Sequence, residues 1–193
     1  MSTPRPEPRH ELILGGQRSG KSRAAEARAA AWLSVPGHEA VLVATALAGD
    51  AEMRSRSERH RADRARRVPR LVTVEEPLAL AGALRAHDDS VRLVVVDCLT
   101  LWLTNLLMPL RGEPAGEAAL AAARDALVAQ LVRASGPVVL VSNEIGLGVS
   151  PLSGEARRFV DELGLLHQAV AAACPRVTLM VAGRELALPG VHR

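Results

Sequence analysis

Gly15-Gly16-Gln17-Arg18-Ser19-Gly20-Lys21-Ser22 is the stretch from which the fold can be read. It fits G-x-x-x-x-G-K-[ST], in which glycines let backbone N–H groups curl around phosphate oxygens and the following helix adds its positive N-terminal end. Context separates it from a chance glycine turn: residues 11–14 are an apolar strand-like run before it. Residues 22–33 form an Ala/Arg-rich helical stretch after it, closed by Pro36 and Gly37. Lys21 is expected to reach the β- and γ-phosphates, and the Ser22 hydroxyl to ligate Mg²⁺. Lys21 is also the only lysine among the 24 Lys and Arg residues. Ammonium is a compact point charge and guanidinium a planar fork, so position 21 points to a geometry that arginine does not serve.

Outward from this loop the chain alternates between apolar runs and helical stretches. Residues 40–45, 71–74, 92–96, 137–141 and 176–181 read as strands, the last of these as the final strand of the fold. Between them, 50–67 is polar and helix-compatible, Pro77 opens a short helix, and 99–110, 117–134 and 155–173 read as longer helices. Residues 143–154 form a loop with three glycines. Continuous apolar strands alternating with helices predict a three-layer α/β fold with a mostly parallel sheet covered on both faces. Residues 1–10 read as a disordered tail and 11–193 as one P-loop nucleotide-binding domain, a size that suits a single core.

Composition narrows the function. A formal net charge of +3 permits acidic small-molecule substrates but does not mark a nucleic-acid binder, and aromatics at 2% cannot build a base-stacking platform. Cys98 and Cys174 have no partner spacing, so neither a disulfide framework nor a zinc site is indicated. The opening MSTPRPEPRH lacks an apolar signal core, and 99–110 falls short of the roughly 20 residues that cross a bilayer. The expected location is cytoplasmic.

Two further groups carry chemistry. Asp97 ends the run Leu93-Val94-Val95-Val96, where a carboxylate can hold Mg²⁺ through water or merely cap the next helix. Between Arg54 and Arg70 lie Arg56, Arg59, His60, Arg61, Arg64, Arg66 and Arg67. On a helix, Arg56 and Arg64 would stand one turn either side of His60 and disfavour its imidazolium. A neutral imidazole among guanidinium groups suits attack on a nucleotide phosphorus, although residue chemistry alone favours a solvated basic helix with an incidental histidine. A second lysine is lacking, so the N-K-x-D element that reads guanine in switch GTPases is absent.

Four strings together resemble one family, the bifunctional adenosylcobinamide kinase/adenosylcobinamide-phosphate guanylyltransferases of cobalamin biosynthesis. They are the loop at 15–22; Glu52-Met53 with Arg56 and Arg59-His60-Arg61 after Ala44-Thr45; Asp97-Cys98-Leu99-Thr100-Leu101-Trp102-Leu103-Thr104-Asn105; and Ser142-Asn143-Glu144-Ile145-Gly146-Leu147-Gly148 with Pro151, Arg157, Phe159, Asp161, Gly164 and Gln168. The resemblance implies a RecA-like fold, a homotrimer, and two reactions. One is phosphorylation of the corrinoid hydroxyl by ATP or GTP. The other is transfer of GMP from GTP to adenosylcobinamide phosphate through a GMP–histidine intermediate. It places His60 at the nucleophile position beside catalytic Lys21. It puts nucleotide contacts at Gly15, Gly16, Gln17, Arg18, Ser19, Gly20, Lys21, Ser22, Ala44, Thr45, Ala46, Arg61, Ala62, Asp63, Arg64, Glu75 and Asp97. Val160 and His167 depart from the family's more usual Arg and Asn, away from the phosphate loop.

Overall fold

A computed structural model describes residues 10–47 and 61–190. Seven strands form one sheet in the order β3-β2-β4-β5-β1-β6-β7. They are β1 (His10–Gly15), β2 (Glu39–Ala44), β3 (Leu71–Glu75), β4 (Arg92–Asp97), β5 (Val138–Val141), β6 (Arg176–Val181) and β7 (Arg184–Leu188). All pairings are parallel except the antiparallel β6–β7 hairpin. The helices are α1 (Lys21–Leu33), a helical segment at 61–67 (α2), α3 (Leu80–Ala86), α4 (Leu99–Leu107), α5 (Glu117–Arg133) and α6 (Gly154–Ala173).

Strand alternation sorts the apolar residues into two cores, one on each face. Leu12, Leu14, Val41, Val43, Val94, Val96, Val138 and Leu140 pack under Leu80 and Leu84 of α3, Trp102 and Leu103 of α4, Leu127 and Leu131 of α5, and Leu163 and Leu166 of α6. Ile13, Leu42, Leu93, Val95, Val139 and Val141 face the other way, onto Ala24, Ala25, Ala29 and Leu33 of α1 and Val68 beyond α2. Alanines let α1 lie close to the sheet, which brings the phosphate loop at its start against β1. The expected three-layer, mostly parallel α/β fold is therefore what the chain forms.

Four expectations are corrected. His10 is not part of a tail: it opens β1, is buried, and its Nδ1 accepts from the Val138 N–H at 3.2 Å. The helix that Pro77 was to open starts at Leu80, because the Glu76 carboxylate accepts the Leu78 and Ala79 N–H groups and holds a turn there. Helix α4 stops at Leu107, two residues before Pro109, since a residue preceding proline is driven out of the helical region. Strand β6 is not the last: Ala182 and Gly183, both at positive φ, make a two-residue turn into β7.

Candidate active site

Because β1 to β5 run parallel, their carboxyl ends share one edge of the sheet, where ligands of such sheets bind. Gly15, Ala44, Glu75, Asp97 and Val141 mark that edge. Strand β5 lies between β1 and β4, so whatever follows Val141 sits between the phosphate loop and Asp97.

The loop has the conformation its glycines allow. At Gly15, φ is 151° and a Cβ would fall 2.4 Å from the Met180 carbonyl oxygen, so only glycine lets β1 turn against β6 here. Ser19 N–H donates to the Gly16 carbonyl at 3.2 Å, and the Gly183 N–H of the hairpin turn donates to the Ser19 carbonyl at 2.9 Å. Gly20, at φ 105°, leads into α1. Lys21 is buried, and its Nζ donates to the Gly16 carbonyl at 2.6 Å, with Ser19 Oγ at 3.5 Å. Burial lowers its pKa from the ordinary 10.5, opposed by the adjacent Cys98 and Asp97. The lysine thus lies folded across the mouth of the loop, facing the acidic strand end. Gly16, Gln17 and Arg18 are exposed along the loop, and Ser22 is half-buried at the second position of α1.

Asp97 is half-buried and stands across from Ala44 on one side and Val141 on the other. The turn after it is pinned by Thr45, which is fully buried. Thr45 Oγ1 donates to the Cys98 carbonyl at 2.6 Å and accepts the Cys98 N–H at 2.9 Å, while its own N–H donates to the Asp97 carbonyl at 3.2 Å. Asn105 Nδ2 in turn donates to the Thr45 carbonyl at 2.7 Å. The Thr45 side chain is therefore engaged in shaping the Asp97 turn. Ala46 is half-buried beside it.

The arginines of α2 differ sharply in their surroundings. Arg64 is buried, donates from Nη1 to Thr73 Oγ1 at 3.0 Å, and lies 3.8 Å from Glu26; its Nε has no hydrogen-bond partner. Burial lowers its pKa, opposed by the negative charges of Asp97 and Glu26. Arg67 grips Glu26 through two bonds of 2.7 and 3.0 Å. Arg61 pairs with Glu75, both exposed, the half-buried Asp63 pairs with the exposed Arg66, and the Ala62 side chain carries no polar group. His60, with Glu52, Met53, Arg54, Arg56 and Arg59, lies outside the described residues.

No group of three His, Cys, Asp or Glu side chains that could hold a metal occurs among the described residues. Magnesium bound to a nucleotide needs fewer protein ligands, because phosphates and water complete its six hard-oxygen positions. One hydroxyl at Ser22 and one carboxylate at Asp97 match that requirement in kind.

Sequence reasoning missed one cluster. Ser142, fully buried just past β5, lies 3.0 Å from Thr100 Oγ1 and 2.8 Å from His167 Nε2. His167 Nδ1 lies 3.6 Å from Glu144 Oε2. The available signal was His167 itself, a polar residue in step with the buried Leu163, Leu166 and Val170 of α6.

A buried phosphate-loop lysine facing a strand-end aspartate, on a parallel sheet with an extra strand between the two, defines a P-loop nucleotide-binding protein of RecA-like type. Within that class the chain belongs to the cobinamide kinase / cobinamide phosphate guanyltransferase family, CobU, whose sequence model matches residues 11–188. It is 51% identical over 183 residues to the bifunctional adenosylcobalamin biosynthesis protein CobP of Pseudomonas aeruginosa, covering 93% of this chain and 97% of the relative. It is 37% identical over 180 residues to the bifunctional adenosylcobalamin biosynthesis protein CobU of Escherichia coli, covering 89% and 95% respectively. Among solved structures, the flagellar accessory protein FlaH of Methanocaldococcus jannaschii superposes with a TM-score of 0.47 at 11% identity, covering 93% of this chain and 77% of that one.

Proposed function

We propose that the protein phosphorylates the hydroxyl of adenosylcobinamide with ATP or GTP. It then transfers GMP from GTP to adenosylcobinamide phosphate through a GMP–His60 intermediate, giving adenosylcobinamide-GDP. The observation that carries this is Lys21, buried at the mouth of the loop and facing Asp97, in a chain that matches the family from 11 to 188. The backbone from Gly15 to Ser22 cradles the phosphates, and Lys21 leaves the Gly16 carbonyl to meet them. Arg64, buried between Glu26 and Thr73, adds positive charge beside the site. Ser22 and Asp97 would hold Mg²⁺, which neutralises phosphate charge when bound. Ala44, Thr45 and Ala46 present backbone to the nucleotide, with Arg61, Ala62, Asp63 and Glu75 at its rim. Full-length protein given Mg²⁺, nucleotide and adenosylcobinamide should produce first the phosphate and then the GDP adduct by mass spectrometry; neither mass appearing would refute the proposal.

Asp97→Asn tests the metal role. The amide is nearly isosteric and the Thr45 bonds reach only backbone at 97 and 98, so the fold should persist. Both transfers should slow by about 10²-fold or more. Unchanged rate and Mg²⁺ dependence would reduce Asp97 to a helix cap.

The working form is a cytoplasmic homotrimer. No described helix is long and apolar enough to cross a membrane, and Leu147, Val149 and Leu152 stand more than four-fifths exposed, apolar surface that association would cover. Light scattering should return three times the 20.4 kDa subunit mass; a monomer at micromolar concentration counts against it.

A further inference from the structure

Thr100, Ser142 and His167 are buried and lead to the half-buried Glu144, a chain that the phosphate-binding residues do not use. The Asn143 N–H donates to Thr100 Oγ1 at 2.7 Å, and the Thr100 and Ser142 hydroxyls share a hydrogen bond of 3.0 Å. Ser142 Oγ in turn lies 2.8 Å from His167 Nε2. Burial lowers the His167 pKa below its ordinary 6.5, opposed by Glu144, so the ring is neutral at pH 7 and carries one N–H. Glu144 Oε2 lies 3.6 Å from Nδ1, which favours that hydrogen on Nδ1 and leaves Nε2 to accept from the Ser142 hydroxyl. The reverse direction would aim a bare Nδ1 lone pair at a carboxylate.

Glu144 is therefore oriented from behind, and it is also tied in front. Its N–H donates to the Gly15 carbonyl at 2.9 Å, the first residue of the phosphate loop, and its Oε1 accepts the Gly146 N–H at 2.6 Å. The Glu144 backbone thus abuts the start of the phosphate loop, after the strand that separates β1 from the Asp97 strand, and its carboxylate lies between Gly146 and His167. Its side chain is 21% exposed against 9% for His167, so an incoming acceptor molecule reaches the carboxylate and not the imidazole.

We propose that Glu144, held by His167, receives the proton of the acceptor hydroxyl during phosphoryl transfer. This rests on the kinase reading above. The hydroxyl oxygen forms a bond to the γ-phosphorus as the bond from that phosphorus to the β–γ bridging oxygen breaks. The electron pair leaves on the nucleoside diphosphate, and the hydroxyl proton passes to a Glu144 oxygen. His167 is a positioning residue: it fixes which way the carboxylate faces.

The test uses full-length protein with Mg²⁺, ATP and adenosylcobinamide. Glu144→Gln keeps the shape and the Gly146 bond but cannot take the proton. Its kcat for corrinoid phosphorylation should fall about 10²-fold or more, with the nucleotide KM within about twofold. Glu144→Asp, which restores a carboxylate, should recover part of the rate, and His167→Leu should lower kcat less than Glu144→Gln at the same KM. Wild-type kcat in Glu144→Gln overturns the proposal, as does nucleotide binding lost together with rate in both Glu144 variants, which would make Glu144 a structural pin. Wild-type protein that binds nucleotide but never phosphorylates adenosylcobinamide overturns this inference and the kinase reading together.

Discussion

Lys21→Arg should lose most nucleotide affinity and both transfer activities, a fall of about 10²- to 10³-fold, although the charge is kept. The native ammonium fits a buried slot 2.6 Å from the Gly16 carbonyl, with Ser19 beside it and Asp97 opposite. A guanidinium is wider and planar. To keep its charge near the phosphates it must push open the turn that the Ser19 and Gly183 N–H groups close. Equilibrium binding of a labelled nucleotide measures the first loss and product formation the second. Turnover at the wild-type level in this variant would show that any cation suffices, and that the loop is not gripping phosphate as described.

His60→Ala should separate the two reactions. A phosphoryl group passes directly from a triphosphate to a bound hydroxyl and needs no protein nucleophile, whereas GMP transfer through a covalent intermediate does. Incubation with GTP labelled at the α-phosphorus should label wild-type protein, and His60→Ala should abolish the label and the guanylyl transfer while retaining much of the kinase rate. Imidazole–phosphorus bonds are protonated and cleaved easily, so the wild-type adduct should decay in acid and survive alkali. No other histidine lies between His38 and His87 to substitute for it. Label persisting in His60→Ala, or an acid-stable adduct, would refute the assignment.

What could be read from residue order was whatever depends on neighbours along the chain. The phosphate loop is eight consecutive residues between a strand and a helix, and strands such as Leu93-Val94-Val95-Val96 are buried on both faces, so they announce themselves as apolar runs. Strand β7 escaped because all five of its residues are exposed, and an edge strand with no face in the core shows no apolar pattern. Arg61, Arg64, Arg66 and Arg67 are indistinguishable in sequence. Glu26 on α1 and Thr73 on β3, distant along the chain, decide that Arg64 is buried and Arg61 is not. The Thr45 hydroxyl bonds Cys98, 53 residues on, a partner that no neighbour of Thr45 along the chain announces. The Thr100–Ser142–His167–Glu144 chain joins three elements, which no local spacing encodes.

The sheet order also bears on how the molecule is made. Strand β1 is synthesised first, yet its two neighbours are β5, at residues 138–141, and β6, at 176–181. During translation the phosphate loop therefore has no flanking strand on either side until most of the chain has emerged. Closing contacts across such sequence distances is slow, so the pairing of β1 belongs late in folding. The amino-terminal segment must wait as an apolar run, and competence to bind nucleotide arrives only when the last third of the polypeptide has docked around it.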